Sequence, residues 1–210
     1  MSRFETSKFI RNPQVMNQEV LKIACDRLGW TYKIVNNELL VTDIKQNVQL
    51  YGEFALKVTG DQVIYNSYYL KNGKELIKEL QETFFPLNVE YAKNTVISEF
   101  QLKGFTLKKL YDFKPTEEER ERFCMVGITK LPNEKNKRFE VQFSVLKDGT
   151  VITDSNYLPD DVNDLAHKAM DEVERKFGNK RIMTKKPEYD IFMKNRKTSI
   201  DNKDINKLKH

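Results

Sequence analysis

Between Arg138 and Gly178 the apolar and polar positions alternate in two successive rhythms. Phe139, Val141, Phe143 and Val145 fall at every second position, with Glu140, Gln142 and Ser144 between them. Side chains of a strand point alternately to its two faces, so this stretch predicts a strand with one apolar and one wet side. Asp148-Gly149 follows, a dipeptide that accepts the positive φ angles of a tight turn, and then the β-prone run Thr150-Val151-Ile152-Thr153. The two runs predict a hairpin. Beyond Pro159 the rhythm changes: Val162, Leu165, Ala166, Ala169, Val173 and Phe177 recur at spacings of three and four, behind Asp160 and Asp161 and ahead of Gly178. That is an amphipathic helix with an acidic start and a glycine stop, and its stripe matches the apolar face of the hairpin.

The same reading applies from the start of the chain. Arg3 to Ile10 predicts a strand. Asn12-Pro13 supplies a cap and a first-turn proline, and Met16, Val20, Ile23, Ala24 and Leu28 form a helical stripe that Gly29 ends. Thr31–Val35 and Glu38–Asp43 read as short strands joined at Asn36-Asn37; Gln49–Val58 pairs with Gln62–Leu70 across Thr59-Gly60-Asp61, completing an antiparallel meander. Asn72 and Gly73 open a second helix carrying Leu76, Ile77, Leu80 and Phe84, which Pro86 is expected to end. A third spans about Val89 to Lys103, with Ala92, Val96, Ile97 and Phe100 in line before Gly104. Strands Phe105–Tyr111 and Arg122–Leu131 then flank a charged loop, Pro115–Glu121. The polar, turn-prone segment Pro132–Lys137 reads as a domain boundary, Arg181–Thr184 as one more strand, and the residues after Ile191 as a frayed or weakly helical tail. The expected architecture is α+β: an N-terminal domain over 1–131, a linker at 132–137, a hairpin-helix domain over 138–190 and a basic tail over 191–210, the sheets mainly antiparallel.

Composition narrows the class. The 210 residues are 39% hydrophobic and 32% charged, sufficient for a modest core under a well-hydrated surface. No stretch approaches the roughly 18 uncharged apolar residues of a membrane span, and Met1-Ser2-Arg3-Phe4-Glu5 lacks the apolar core of a signal peptide, so the cytosol is the expected location. Cys25 and Cys124 sit among apolar neighbours and are expected as buried thiols. Charge is unevenly divided. From Arg175 to His210 there are 12 Lys and Arg against 4 Asp and Glu, leaving 24 against 27 for residues 1–174. Within that end Lys180, Arg181, Lys185, Lys186, Lys194, Arg196 and Lys197 are the candidate phosphate contacts of a nucleic-acid-binding arm; a solvated tail has the same composition.

The search for catalytic chemistry is largely negative. Gly73-Lys74 is followed by Glu75 and lacks the upstream glycine of a phosphate-binding loop. His167 and His210 are the two histidines, the cysteines are far apart in sequence, and no soft-ligand spacing for a metal exists, so neither metal nor cofactor is expected. His167 falls one residue past the apolar stripe of its helix, as a surface residue would. Glu117, Glu118, Glu119 and Glu121, interspersed with Arg120 and Arg122, read as a solvated loop face. Tyr65, Tyr68 and Tyr69 near Lys71 read as sheet packing, with base stacking beside a cation as the alternative.

From Ser2 to about Lys130 the sequence also resembles a known family. Ser2-Arg3-Phe4-Glu5-Thr6, Leu28-Gly29-Trp30, Leu50-Tyr51-Gly52, Tyr91-Ala92-Lys93-Asn94-Thr95-Val96-Ile97 and Gly104-Phe105 carry the likeness. It is to a hypothetical reading-frame family of unknown function found in algal chloroplasts, cyanobacteria, other bacteria and phages. Phe139 to Tyr189, with Asp148-Gly149, Phe177-Gly178 and Pro187-Glu188-Tyr189, is similar to a second short bacterial and phage domain of unknown function. Neither family has catalytic residues to carry over. Both tend to be encoded near an AAA-type ATPase, which implies an adaptor for that machine, and the Lys- and Asn-rich end suits a phage protein of an AT-rich host. One departure stands out: where the first family has Gly-Tyr-Gln-Gly, this chain has Tyr51-Gly52-Glu53-Phe54. The expected function is thus a non-enzymatic adaptor, with a nucleic-acid-binding accessory role for the basic end as the alternative and an enzyme site assembled from distant residues as a third reading.

Overall fold

The structure, a computed structural model, describes residues 4–45, 53–68, 70–110, 114–155 and 157–178, which all fall in one unit spanning residues 1–180. Its organising element is a 30-residue helix, α2 (Gly73–Leu102). The first half of α2 gives Leu76, Ile77, Leu80 and Phe84 to one apolar core, and the second half gives Val89, Ala92, Val96 and Phe100 to another. Sequence pattern predicts two helices separated at Pro86; the structure has one that passes through it. Proline lacks the N–H that would bond the carbonyl of Glu82, at a cost of about 3 kcal/mol in a helix interior. Pro86 is on the exposed side, where water reaches that carbonyl, while Phe84 and Val89 beside it are buried in different cores. Burial at about 1.5–3 kcal/mol per large apolar side chain outweighs the lost bond.

The first core lies under a five-stranded antiparallel sheet A built from β1 (Phe4–Lys8), β2 (Thr31–Val35), β3 (Glu38–Asp43), β4 (Leu56–Thr59) and β5 (Gln62–Asn66), in the order β1-β5-β4-β3-β2. Leu39, Val41, Leu56, Val58, Val63 and Tyr65 form its inner face and share a cluster with α1 (Gln18–Leu28) and the first half of α2. The single helix expected after Asn12-Pro13 divides in two. Asn12 caps a short 3₁₀ turn, Pro13–Val15, and Asn17 separately caps α1 by accepting from the N–H groups of Glu19 and Val20 at 2.9 and 3.1 Å. Ile23 faces outward, because the buried stripe runs through Val20, Leu21, Ala24 and Cys25. Asn36 and Asn37 both take positive φ, the mirror-image turn that suits strand twist, so the β2–β3 hairpin forms where expected. The β4–β5 hairpin is shorter than its predicted strands, and residues 46–52 lie outside the described residues.

The second core lies under sheet B, ordered β6-β7-β8-β9: β6 (Thr106–Lys109), β7 (Glu119–Ile128), β8 (Arg138–Leu146) and β9 (Val151–Ser155). Phe123, Met125, Val141, Phe143 and Val145 point inward toward the second half of α2 and toward α3 (Asp160–Lys176), whose Val162, Ala166, Ala169 and Val173 are buried as the stripe predicts. Gly127 permits close contact: a Cβ there would fall 2.7 Å from Phe105 and 2.9 Å from Val162. β7 pairs with β8 at nine positions, from Glu119↔Leu146 to Ile128↔Arg138. Pro132–Lys137 is therefore the loop of a hairpin, and the boundary expected there falls inside one sheet and one core. A polar, turn-prone segment marks a hairpin loop as readily as a linker; the pairing of its flanks decides. Arg181–Thr184 and the tail lie outside the described residues.

Candidate functional site

The groups that most resemble chemistry turn out to hold the fold together. Glu119, expected in a solvated loop, opens β7 and is buried; its Oε1 accepts from Arg122 Nη2 at 2.5 Å and from Ser144 Oγ at 2.7 Å, and Oε2 accepts from the Thr116 N–H at 3.2 Å. Arg122 first and Ser144 second pull its carboxyl down to about 2. Glu118 meets Arg11 at 2.9 Å and Glu121 meets Lys93 of α2, so the acidic run is tied to α2, to β8 and to the bend at Arg11 while Glu117 stays exposed. Asp161 Oδ2 accepts from the Lys130 N–H at 2.8 Å and its Oδ1 from the buried Thr129 hydroxyl at 2.8 Å, which holds its carboxyl below the usual range. Glu99, buried on α2, takes the Lys176 ammonium 2.5 Å from Oε1 as an ion pair without hydrogen-bond alignment. His167 is on the exposed side of α3. Both cysteines are free and fully buried; Cys25 is in the first core, and burial pushes its thiol up to about 12. Cys124 is buried as expected, on the face of sheet B away from α2 and α3, beside the Lys108–Glu140 pair. No group of three metal-ligating side chains occurs among the described residues.

What remains open is surface. Among the described residues each sheet packs helices on one side, and the edge strands are β1 and β2 in sheet A and β6 and β9 in sheet B. On sheet B one edge strand is β9, where Ile152 is 49% exposed, and Tyr157 just beyond it is 76% exposed. On sheet A the register puts Phe4, Thr6 and Lys8 of β1 with Ile64 of β5, Lys57 of β4, Leu40 of β3 and Lys33 of β2 on the side away from the core, and of these Leu40 is buried. Phe4 is 58% exposed with its ring 6.0 Å from that of Phe54. Of the tyrosines considered for stacking, Tyr65 is buried, its phenol donating to Glu5 Oε2 at 2.7 Å, and burial with that carboxylate raises it to about 12. Tyr68 is 58% exposed, with Lys71 Nζ 5.4 Å from its ring centre. Tyr69 lies outside the described residues.

The sequence reading passed over Phe4 and Phe54. An aromatic alternating with Glu5 and Ser7 is the ordinary mark of a core position, and only the burial of Tyr65 opposite Glu5 reverses the faces. Lys180, Arg181, Lys185, Lys186, Lys194, Arg196 and Lys197 all lie outside the described residues. Among the described residues no helix is long and apolar enough to cross a membrane. No family model matches the chain, and no curated protein or solved structure matches it. The geometry thus defines a class: an α+β protein whose described residues form two antiparallel sheets and three α-helices, one of them common to both cores.

Proposed function

We propose that the protein is a non-enzymatic adaptor that takes a protein partner on the β9 edge of sheet B. The observation that supports this is the edge itself: a five-residue strand outermost in its sheet, with Ile152 and Tyr157 exposed beside it. Edge strands present backbone donors and acceptors to an incoming extended segment, and proteins that avoid such pairing guard them with lysine, proline or a bulge. β9 reads Val-Ile-Thr-Asp-Ser, with neither lysine nor proline and a single charge, Asp154. The family resemblance makes an AAA-type ATPase the first partner to test. Isolation of the full chain from producing cells is expected to recover the ATPase, and Ile152→Lys with Tyr157→Ala to reduce its retention. Recovery of no protein, or retention unchanged in both variants, removes the reading.

A second reading rests on the charge division, 12 cations against 4 anions from Arg175 onward. A nucleic-acid-binding arm formed by this end loses affinity steeply as salt rises. Replacing Lys194, Arg196 and Lys197 with Gln then weakens binding and flattens the salt dependence. No affinity at low salt, or affinity indifferent to these changes, rejects it.

A further inference from the structure

The face of sheet A away from its core carries rings and cations around its rim, with Leu40 buried at its centre, a combination that an edge pairing with a protein strand does not require. Phe4 stands opposite Asn66 at the end of β1, its ring beside that of Phe54. Asn66 Oδ1 accepts the Tyr68 N–H at 3.1 Å, so Tyr68 and the Lys71 ammonium near its ring belong to the same corner. Across the strands this face carries Lys8, Lys33 and Lys57 against one acid, Glu38. That acid is occupied, since its carboxylate accepts from Lys57 Nζ at 3.0 Å and from the Thr59 hydroxyl at 3.0 Å. Lys8, Lys33 and Lys71 are exposed. The face is therefore net positive, with aromatic surface open at one corner.

These features fit one polymer better than others. Exposed rings offer stacking surface to unpaired bases, and ammonium groups spaced across the strands meet the phosphates that connect those bases. A duplex keeps its bases stacked on each other and out of reach of such rings; an acidic peptide meets the lysines and leaves the rings unused. We infer that the exposed rim of this face of sheet A binds single-stranded nucleic acid, with Phe4 and Tyr68 as stacking surfaces and Lys8, Lys33 and Lys71 as phosphate contacts. The inference is independent of the β9 edge and of the basic end, because it uses neither.

The test is fluorescence anisotropy of the full chain with a labelled oligothymidine of about 20 nucleotides, longer than one such face covers, and with a duplex of equal length. The single strand is expected to bind more tightly than the duplex. Phe4→Ala is expected to weaken it about tenfold, the ordinary contribution of one stacked base. Lys8→Gln with Lys33→Gln is expected to reduce the slope of log affinity against log salt by about 1.4, since each contact to a single strand contributes about 0.7. Tyr68→Ala serves as the second ring variant, and circular dichroism checks that each variant is folded. Replacing Lys194, Arg196 and Lys197 with Gln in the same chain must leave the Phe4→Ala effect in place. Absence of single-strand binding at low salt overturns the inference, as does equal affinity for the duplex. So does oligonucleotide affinity that the Phe4, Tyr68 and lysine variants leave unchanged. A protein partner whose retention depends on Phe4, in a chain that binds no oligonucleotide, assigns the face to protein and overturns it too.

Discussion

Asn88 and Gly149 pack so closely that a Cβ built on the glycine would lie 2.4 Å from the asparagine Nδ2. The same amide nitrogen donates to the carbonyl of Asp148 at 2.7 Å and to that of Val15 at 2.9 Å. One side chain from the middle of α2 thus fastens the β8–β9 turn and the 3₁₀ turn ahead of α1, elements that serve different cores. Asn88→Ala leaves two carbonyls short of a donor and is expected to cost about 1–3 kcal/mol. Gly149→Ala puts a side chain at φ +93° and against Asn88, so it is expected to destabilise as well. Shortening Asn88 removes that collision, and the double variant is therefore expected to be more stable than the sum of the single losses. Urea denaturation of the four proteins measures this; additivity within about 0.5 kcal/mol would mean the two residues do not interact.

Pro86 supplies a prediction of opposite sign. It is exposed, inside a continuous helix, and the bond it cannot donate contributes nothing to either core. Pro86→Ala restores that donor and is expected to raise stability by about 1–3 kcal/mol. If the two halves of α2 reach their cores only through a bend at the proline, the denaturation midpoint will instead stay or fall.

These two positions also mark where the sequence stopped being legible. Elements set by local chemistry were readable: Asp148-Gly149 and Asn36-Asn37 impose their turns, Gly29 ends α1, and the α3 stripe is buried as spaced, although α1 starts behind Asn17 and not behind Asn12. Elements set by distant partners were not. Pro86 carries the local mark of a helix end, and burial on both sides of it prevails. Glu119 to Glu121 has the composition of a loop, yet pairing with β8 makes it strand, and Ser144 lies 25 residues from the Glu119 it bonds. The ring corner of sheet A was missed for the same reason, because alternation shows that Phe4 and Glu5 face opposite ways without showing which way is out.

Acid should act through Glu119. Arg122 and Ser144 hold its carboxyl at about 2, against an ordinary value of 4.5. A carboxyl that ionises more readily in the folded chain than in the unfolded one favours folding while it is ionised. Its contribution is complete above about 4.5 and is lost as pH falls toward 2. Glu119→Gln is expected to be less stable than the parent near neutral pH, with the gap closing across this window. Asp161, also lowered, leaves some acid dependence in the variant. Denaturation midpoints of both proteins from neutral to acid pH check the sign; a gap that widens on acidification contradicts it.

The two thiols should part company when one ion pair is removed. Burial pushes both upward, so neither is a thiolate at neutral pH, and both are expected to resist alkylation in the folded chain. Their shelters differ. Cys25 is enclosed by the apolar core of sheet A, whereas Cys124 lies across the strand from Lys108, whose ammonium reaches Glu140 Oε1 at 2.6 Å. Lys108→Ala takes away the side chain and the pair together while leaving the apolar core intact. It is expected to speed alkylation of Cys124 severalfold with Cys25 unchanged, read by mass spectrometry of the labelled peptides. Equal acceleration at both cysteines would instead report opening of the whole fold, and Lys108 would then be no cover at all.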